Sequence, residues 1–321
     1  MCTAVSFLSS DHYFGRNLDL EYSYQESVVI TPRNYPLRFR NAKTPKTHYA
    51  MIGAGIVRED YPLYYDATNE YGLSMAGLNF PGNAVYDGVA SYTAAPFELI
   101  PWVLSQCKNT EEALVLLKNT ALAPIRFSFS LPVTDLHWMV SDKEKSITVE
   151  PEKGGLMIRE NPVCVLTNNP PFSYHLHNLK NYMKLSENDP ENTFAPQLDL
   201  QPCSRGMGAL GMPGDLSSQS RFIRAAFTLW HSVRPPEEDA AVNQFFHILG
   251  AVCQQEGCVR AGDHFEKTVY SSCCNTNRGI YYYNTYDNRQ IRAVHLRHVD
   301  LNSERIVSYP MQQHTSFQNI N

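Results

Sequence analysis

The chain opens Met1-Cys2-Thr3, and its second residue is the one whose chemistry stands out. An initiator methionine is commonly removed when the next side chain is small, as cysteine is. Removal leaves Cys2 with a thiol and a free α-amine on one Cα. An α-amine ordinarily titrates at ~7.7–8.0 and a thiol at ~8.5, so near neutral pH the amine can serve as base toward its own thiol. Nucleophile and base then come from one residue, with no histidine required. The strand-like run after it puts Thr3, Val5 and Phe7 on one face and Cys2, Ala4 and Ser6 on the other, so the thiol points away from the greasier side.

The rest of an acyl-transfer site can be sought in the same way. A thiolate needs a nearby cation and an ammonium needs a carboxylate, and "FGRNLDLE" offers Arg16 and Asp19. Their i, i+3 spacing puts them on opposite faces of an ideal strand, so both reach one site only if the strand bends or ends near Asn17–Leu18. Fixed amide donors for an oxyanion can come from "AGLNFPG", with Asn79, and "VLTNNPPF", with Asn168 and Asn169, where asparagine as a plain turn former is the alternative. In each, an apolar run ends at a proline-marked turn that lifts an amide out at a strand end. Arg221, in "PGDLSSQSRFIR", stands in the first turn of a helix, where the macrodipole disfavours a cation. Pairing with Asp215 is its plain alternative.

These residues must be held by strands first. Strand signals cover Thr3–Leu8, Tyr13–Asn17, Ser27–Thr31, Ala50–Ile52, Leu63–Tyr65 and Leu73–Leu78, and "VYSSCC", "GIYYYN" and "QIRAVHL" near the end. A hairpin, "LHWMVSD-KEK-SITVE", turns Leu136, Trp138 and Val140 inward. Helices are expected from Asn109, with Glu112 at its third position, from Ser218, and from Pro236. Ile125–Thr134 and Leu185–Asp215 read as long loops, the latter functional or an assembly element. Strands, helices and strands without strict alternation indicate α+β architecture with antiparallel sheets and segregated helices.

Composition removes other classes. With 321 residues, 43% hydrophobic and 18% charged, the chain is ordinary globular protein, and a net charge of −5 leaves no basic surplus for nucleic acid. No run approaches the ~20 apolar residues of a membrane span. "MCTAVSFLSSDHYF" lacks the basic n-region of a secretory signal, so the cytoplasm is the expected compartment, with the eight cysteines reduced. "GMGALG" matches G-x-G-x-x-G without the strand and helix that a dinucleotide site needs. His175/His177 and His295/His298 lack the further ligands of a zinc site.

Seven stretches in order, "MCT", "FGRNLD", "AGLNFPG", "LHWMVSD", "VLTNNP", "MPGDLSSQSRF" and "GIYYYNTY", resemble the choloylglycine hydrolase family of N-terminal nucleophile hydrolases, across nearly the whole chain. The resemblance implies a four-layer αββα sandwich, taken here as one domain over residues 1–321 with Leu185–Asp215 as a long assembly extension. It implies Cys2 as nucleophile, Arg16 and Asp19 positioning its thiol and amine, Asn79 and Asn168 stabilising the oxyanion, and Arg221 completing the charged shell. Neither metal nor organic cofactor is implied. The family's bile salt hydrolases tend to carry Asn at position 79 and its penicillin V acylases Tyr, which favours a conjugated bile salt as substrate here. An acylase on penicillin V or other N-acyl amides, and a silent binding protein of the same fold, are the alternatives. Expected walls for the steroid are Leu20, Tyr61, Tyr65 and Ala67 of a "DYPLYYDA" loop, and Phe127, Phe129 and Leu131 of "IRFSFSLP". A homotetramer, or at least a dimer, is implied as well.

Overall fold

A computed structural model describes residues 1–42, 45–87 and 92–321. The chain enters through six strands: β1 (Cys2–Leu8), β2 (His12–Leu20), β3 (Ser27–Thr31), β4 (Met51–Arg58), β5 (Tyr61–Asn69) and β6 (Ser74–Asn79). Helices α1 (Leu99–Leu104) and α2 (Thr110–Lys118) come next, then β7 (Leu136–Ser141), β8 (Ser146–Glu152), β9 (Gly155–Glu160) and β10 (Val165–Leu166). Beyond them lie α3 (Phe172–Asn178), α4 (Ser218–His231) and α5 (Glu238–Gly250). The last strands are β11 (Val259–Ala261), β12 (His264–Asn275), β13 (Ile280–Thr285), β14 (Arg292–His295) and β15 (Val307–Pro310).

Two antiparallel sheets result. One runs β10-β1-β2-β12-β13-β14, with β11 paired to β12, and the other runs β15-β3-β4-β5-β6-β7-β8-β9. They pack face to face, β1 and β2 against β6. Helices α4 and α5 cover the outside of the first sheet, α1 and α2 the outside of the second. This is the αββα, α+β sandwich that the resemblance implies.

Four layers explain why β7 is buried on both faces. Trp138 and Val140 join the core under α1, while Met139 joins the core between the sheets. The expected inward face of this hairpin is therefore the helix-facing one. The helix starts behave as their sequences suggest: Asn109 Oδ1 accepts from Glu112 N at 2.9 Å, and the Ser217 side chain accepts from Ser220 N. Gly15 lets β2 and β12 approach, since a Cβ there would lie 1.9 Å from Ser272 O.

Two expectations are corrected. "DYPLYYDA" is part of strand β5, not a loop, because its residues pair with β4. Strand β2 does not stop at Asn17–Leu18; it pairs with β1 from His12 to Leu18 and continues to Leu20. The irregularity beside it lies in β12, where the register shifts between Thr268 and Tyr270 opposite Asp19 and Leu18. Leu185–Asp215 contains no strand or α-helix, only one 3-10 turn at Met207–Ala209, and Ile125–Thr134 is irregular.

Candidate active site

Cys2 is the first residue of β1 and stands opposite Leu18 of β2. Strand alternation sends Thr3 toward α4 and Cys2 into the space between the sheets. There the residue lines a cavity of about 330 Å³ together with Arg16, Leu18, Gly77 and Asn79.

Arg16 shares this inner face. Its Nη1 donates to Gly77 O at 2.5 Å and to Tyr65 O at 3.0 Å, and its Nη2 has no hydrogen-bond partner among the described residues. Tyr65 is the extra residue of a bulge between the Gly55–Tyr64 and Ala54–Asp66 pairs, a device common beside active sites. Burial alone lowers the basicity of this guanidinium, but Cys2, Tyr270, Asp66 and Asp19 outweigh it and hold Arg16 firmly protonated. Asp66 is itself fully buried, accepting from Tyr270 Oη and Tyr281 Oη at 2.7 Å each.

Asp19 lies on the other face of β2, toward the helices. Its Oδ1 accepts from Thr268 Oγ1 at 2.6 Å, and its Oδ2 lies 3.8 Å from Arg221 Nη1. Burial pushes the Asp19 carboxyl up, opposed chiefly by Arg221, and burial pushes the Arg221 guanidinium down, opposed by Asp19 and Cys2. Arg221 enters from the first turn of α4 and donates to Cys2 O, to Thr3 Oγ1 at 2.6 Å and to Asn168 Oδ1 at 2.8 Å. Asp215 instead accepts from Ser217 N and Ser220 Oγ, so the plain pairing does not form. The two faces meet at one residue because Cys2 begins its strand. Its thiol side is reached from between the sheets, its main chain from the helix layer.

Asn168 stands just after the short strand β10. Cys2 N donates to its Oδ1 at 2.7 Å, and its Nδ2 donates to Asn79 O at 2.7 Å. Asn168 thus turns an acceptor to the Cys2 nitrogen and commits one of its two Nδ2 hydrogens to Asn79 O. Asn79 ends β6 at the cavity, and among the described residues its side chain has no hydrogen-bond partner. Asn169 Nδ2 donates to Pro81 O at 2.6 Å, tying the two asparagine turns together. In the unprocessed chain the Met1 ammonium donates to Asp19 O at 2.7 Å and pairs with the Glu266 carboxylate.

Four expected wall residues line the cavity: Leu20, Tyr65, Phe127 and Leu131. Three do not. Ala67 falls into the helix-side core, because the bulge at Tyr65 inserts one residue and inverts the parity of the later strand positions. Tyr61 packs behind the wall, its ring 5.8 Å from Phe97 and 6.0 Å from Phe127. Phe129 is 88% exposed, because its loop turns it to solvent. The apolar wall also holds Leu18, Ile56, Leu63, Phe97 and Ile125, which were not singled out. Alternation with Leu20 marks Leu18; nothing local marks Ile56 or Phe97. Thr268, Asp66 and Glu266 were missed too, and Thr268 lies 249 residues from the aspartate it serves. Among the described residues no group of three or more His, Cys, Asp or Glu could hold a metal ion.

Comparison with known proteins agrees with this arrangement. The profile of linear amide C–N hydrolases, choloylglycine hydrolase family, matches residues 2–309. The bile salt hydrolase/transferase of Lactiplantibacillus plantarum is 50% identical over 324 residues, covering 100% of both chains. The corresponding protein of Clostridium perfringens is 38% identical over 330 residues, again with 100% of both covered. The crystal structure of the C2A mutant of the C. perfringens conjugated bile acid hydrolase superimposes with a TM-score of 0.90 at 36% identity, covering 100% of both chains. A penicillin V acylase from Agrobacterium tumefaciens shares the fold, with a TM-score of 0.74 at 19% identity over 96% of this chain and 90% of its own. The chain therefore belongs to the choloylglycine hydrolase family of linear amide C–N hydrolases.

Proposed function

We propose that this enzyme hydrolyses the amide bond of conjugated bile salts, releasing glycine or taurine from the steroid acid. The observation that carries the reading is Cys2 itself: a strand-initial thiol lining an apolar cavity, with its nitrogen held by Asn168 and a buried arginine on the same inner face. A cavity of about 330 Å³ walled by Leu18, Leu20, Ile56, Leu63 and Phe127 suits a rigid apolar body, and relatives named for bile salts support that choice.

With Met1 removed, the α-amine of Cys2 takes the thiol proton and the thiolate attacks the acyl carbonyl, forming the S–C bond. Asn79, its amide uncommitted at the cavity edge, donates to the developing oxyanion, a contribution of about 3 kcal/mol. As the C–N bond breaks, the ammonium of Cys2 passes its proton to the leaving amine. Water, losing a proton to the same amine, then opens the thioester, and the bile acid and the thiol are released. Arg16 places a fixed positive charge on the inner face of the same cavity. Asp19 and Arg221 fix the main chain of Cys2 from the outer face, and Asn168 orients the amine.

Incubation with glycocholate, taurocholate and penicillin V, beside an intact-mass measurement, tests the reading. Loss of the Met1 mass with release of glycine or taurine is expected. Turnover of penicillin V alone assigns the acylase reaction instead, and no turnover by the processed chain overturns catalysis. Among the described residues no helix is long and apolar enough to cross a membrane. All eight cysteines are unpaired, which supports a reducing compartment such as the cytoplasm. Exposed Phe194, Leu198 and Leu210 on the Leu185–Asp215 segment support assembly of identical copies, and light scattering after gel filtration reads the number.

A further inference from the structure

Asn79 and Asn168 come from different sheets, one ending β6 and the other just after β10, yet both must face a single cysteine. Besides their direct contacts, one buried ring touches the mounting of each. His137, on β7 and wholly buried, stacks on Phe80, the residue after Asn79, with ring centroids 4.2 Å apart and planes within 5°. Its Nε2 donates to the carbonyl of Thr167, the residue before Asn168, at 2.8 Å. Its Nδ1 lies 3.2 Å from Glu150 Oε1, and that same oxygen accepts from Phe172 N at 2.9 Å just beyond the asparagine turn. Arg159 Nη1 holds the other oxygen of Glu150 at 3.0 Å. The remaining face of the turn is held by His175, whose Nε2 donates to Asn168 O at 2.9 Å. The asparagines are also tied directly, Asn168 Nδ2 to Asn79 O and Asn169 Nδ2 to Pro81 O, and of the two histidines His137 is the one that braces both mountings from behind.

We infer that His137 is a positioning residue for the amide hydrolysis, fixing the oxyanion donor Asn79 and the amine holder Asn168 in one geometry around Cys2. The inference rests on the roles proposed above for these two asparagines. Its physical basis is the chemistry of the ring: a flat face that stacks and two nitrogens on opposite edges let one residue grip both sheets. A displacement of one ångström at such a site costs about 100-fold in rate.

His137→Phe keeps the stack on Phe80 and removes both polar contacts, whereas His137→Gln restores a donor toward Thr167 O. Three measurements are made on processed protein: kcat and KM for glycocholate, the pH profile of Cys2 alkylation by iodoacetamide followed by intact mass, and the urea midpoint. The phenylalanine variant is expected to lose about 10- to 100-fold in kcat with KM within about threefold, and to shift the alkylation profile, because Asn168 no longer holds the amine in place. The glutamine variant is expected to recover most of the lost kcat. A folded His137→Phe with wild-type kcat and alkylation profile overturns the proposal, as does a glutamine variant no better than phenylalanine. If His137→Phe does not fold, Glu150→Gln takes its place, and wild-type kcat and profile in that variant overturn the proposal equally. Should the wild type hydrolyse no conjugate, the functional reading fails while the alkylation profile still decides this one.

Discussion

Truncating Asn79 separates catalysis from folding more cleanly than any other change at this site. The side chain stands at the cavity, partly exposed, with no partner among the described residues, so Asn79→Ala leaves no buried group unsatisfied. Its main-chain carbonyl, which accepts Asn168 Nδ2 at 2.7 Å, is untouched. Surface-like truncations of this kind alter stability by about 0.5 kcal/mol or less. Loss of the proposed oxyanion donor, in contrast, is expected to cost about 3–4 kcal/mol of transition-state stabilisation, or about 10²–10³ in kcat. Asn168→Ala is the contrasting case. It strips the acceptor from Cys2 N and Arg221 Nη2 and the donor from Asn79 O, and each stranded buried group costs about 1–3 kcal/mol. Kinetics of glycine release from glycocholate, with urea unfolding of the same samples, provides the assay. The expected pattern is a stable, nearly inactive Asn79→Ala and a destabilised, inactive Asn168→Ala. A stable Asn79→Ala within about threefold of wild-type kcat refutes the oxyanion assignment.

Other parts of the molecule carry their own expected outcomes. Gly15→Ala is expected to unfold the protein or cost more than about 3 kcal/mol, since the new methyl meets the Ser272 carbonyl carbon as well as its oxygen, and neither is a flexible side-chain end. A urea midpoint near wild type contradicts that. Burial pushes the His12 imidazole down to about 4, against about 6.5 unfolded, so between these values the unfolded chain binds a proton that the native chain refuses. Stability from this group is complete above the unfolded value and is lost as pH falls toward 4, by about 2 kcal/mol at pH 5. His12→Gln is expected to flatten that part of the pH dependence of the urea midpoint; an unchanged slope counts against the assignment. A chain that retains Met1 is expected to be inactive, because the Cys2 nitrogen is then an amide that cannot take a proton. Activity with the Met1 mass still present removes the amine from the mechanism.

The sequence made several layers of this protein legible. Period-two alternation in "CTAVSF" showed that Cys2 turns away from Thr3, Val5 and Phe7, and the structure seats those residues under α4 and α5. Spacing put Arg16 and Asp19 on opposite faces, where they are found. The starts of α2 and α4 were readable because a cap is a local interaction between a side chain and a few backbone amides. Short α1 and α3 carry no side-chain cap and were missed.

Alternation says which residues share a face but not what covers it, and that second fact is tertiary. Only the packing of α4 on β1 brought Arg221 against Cys2 O and Asp19, and only the sheet-to-sheet contact brought Gly77 O and Tyr65 O to Arg16. One bulge at Tyr65, invisible in "DYPLYYDA", sent Ala67 away from the cavity. The turn after β10 decided that Asn168 presents its oxygen to Cys2 N and its Nδ2 to Asn79 O. The nucleophile was thus written in the first two residues, because its chemistry is a property of one amino acid at a chain end. Its surroundings were not, because a hydrogen bond between residues 166 or 219 positions apart is fixed by packing that no local pattern encodes.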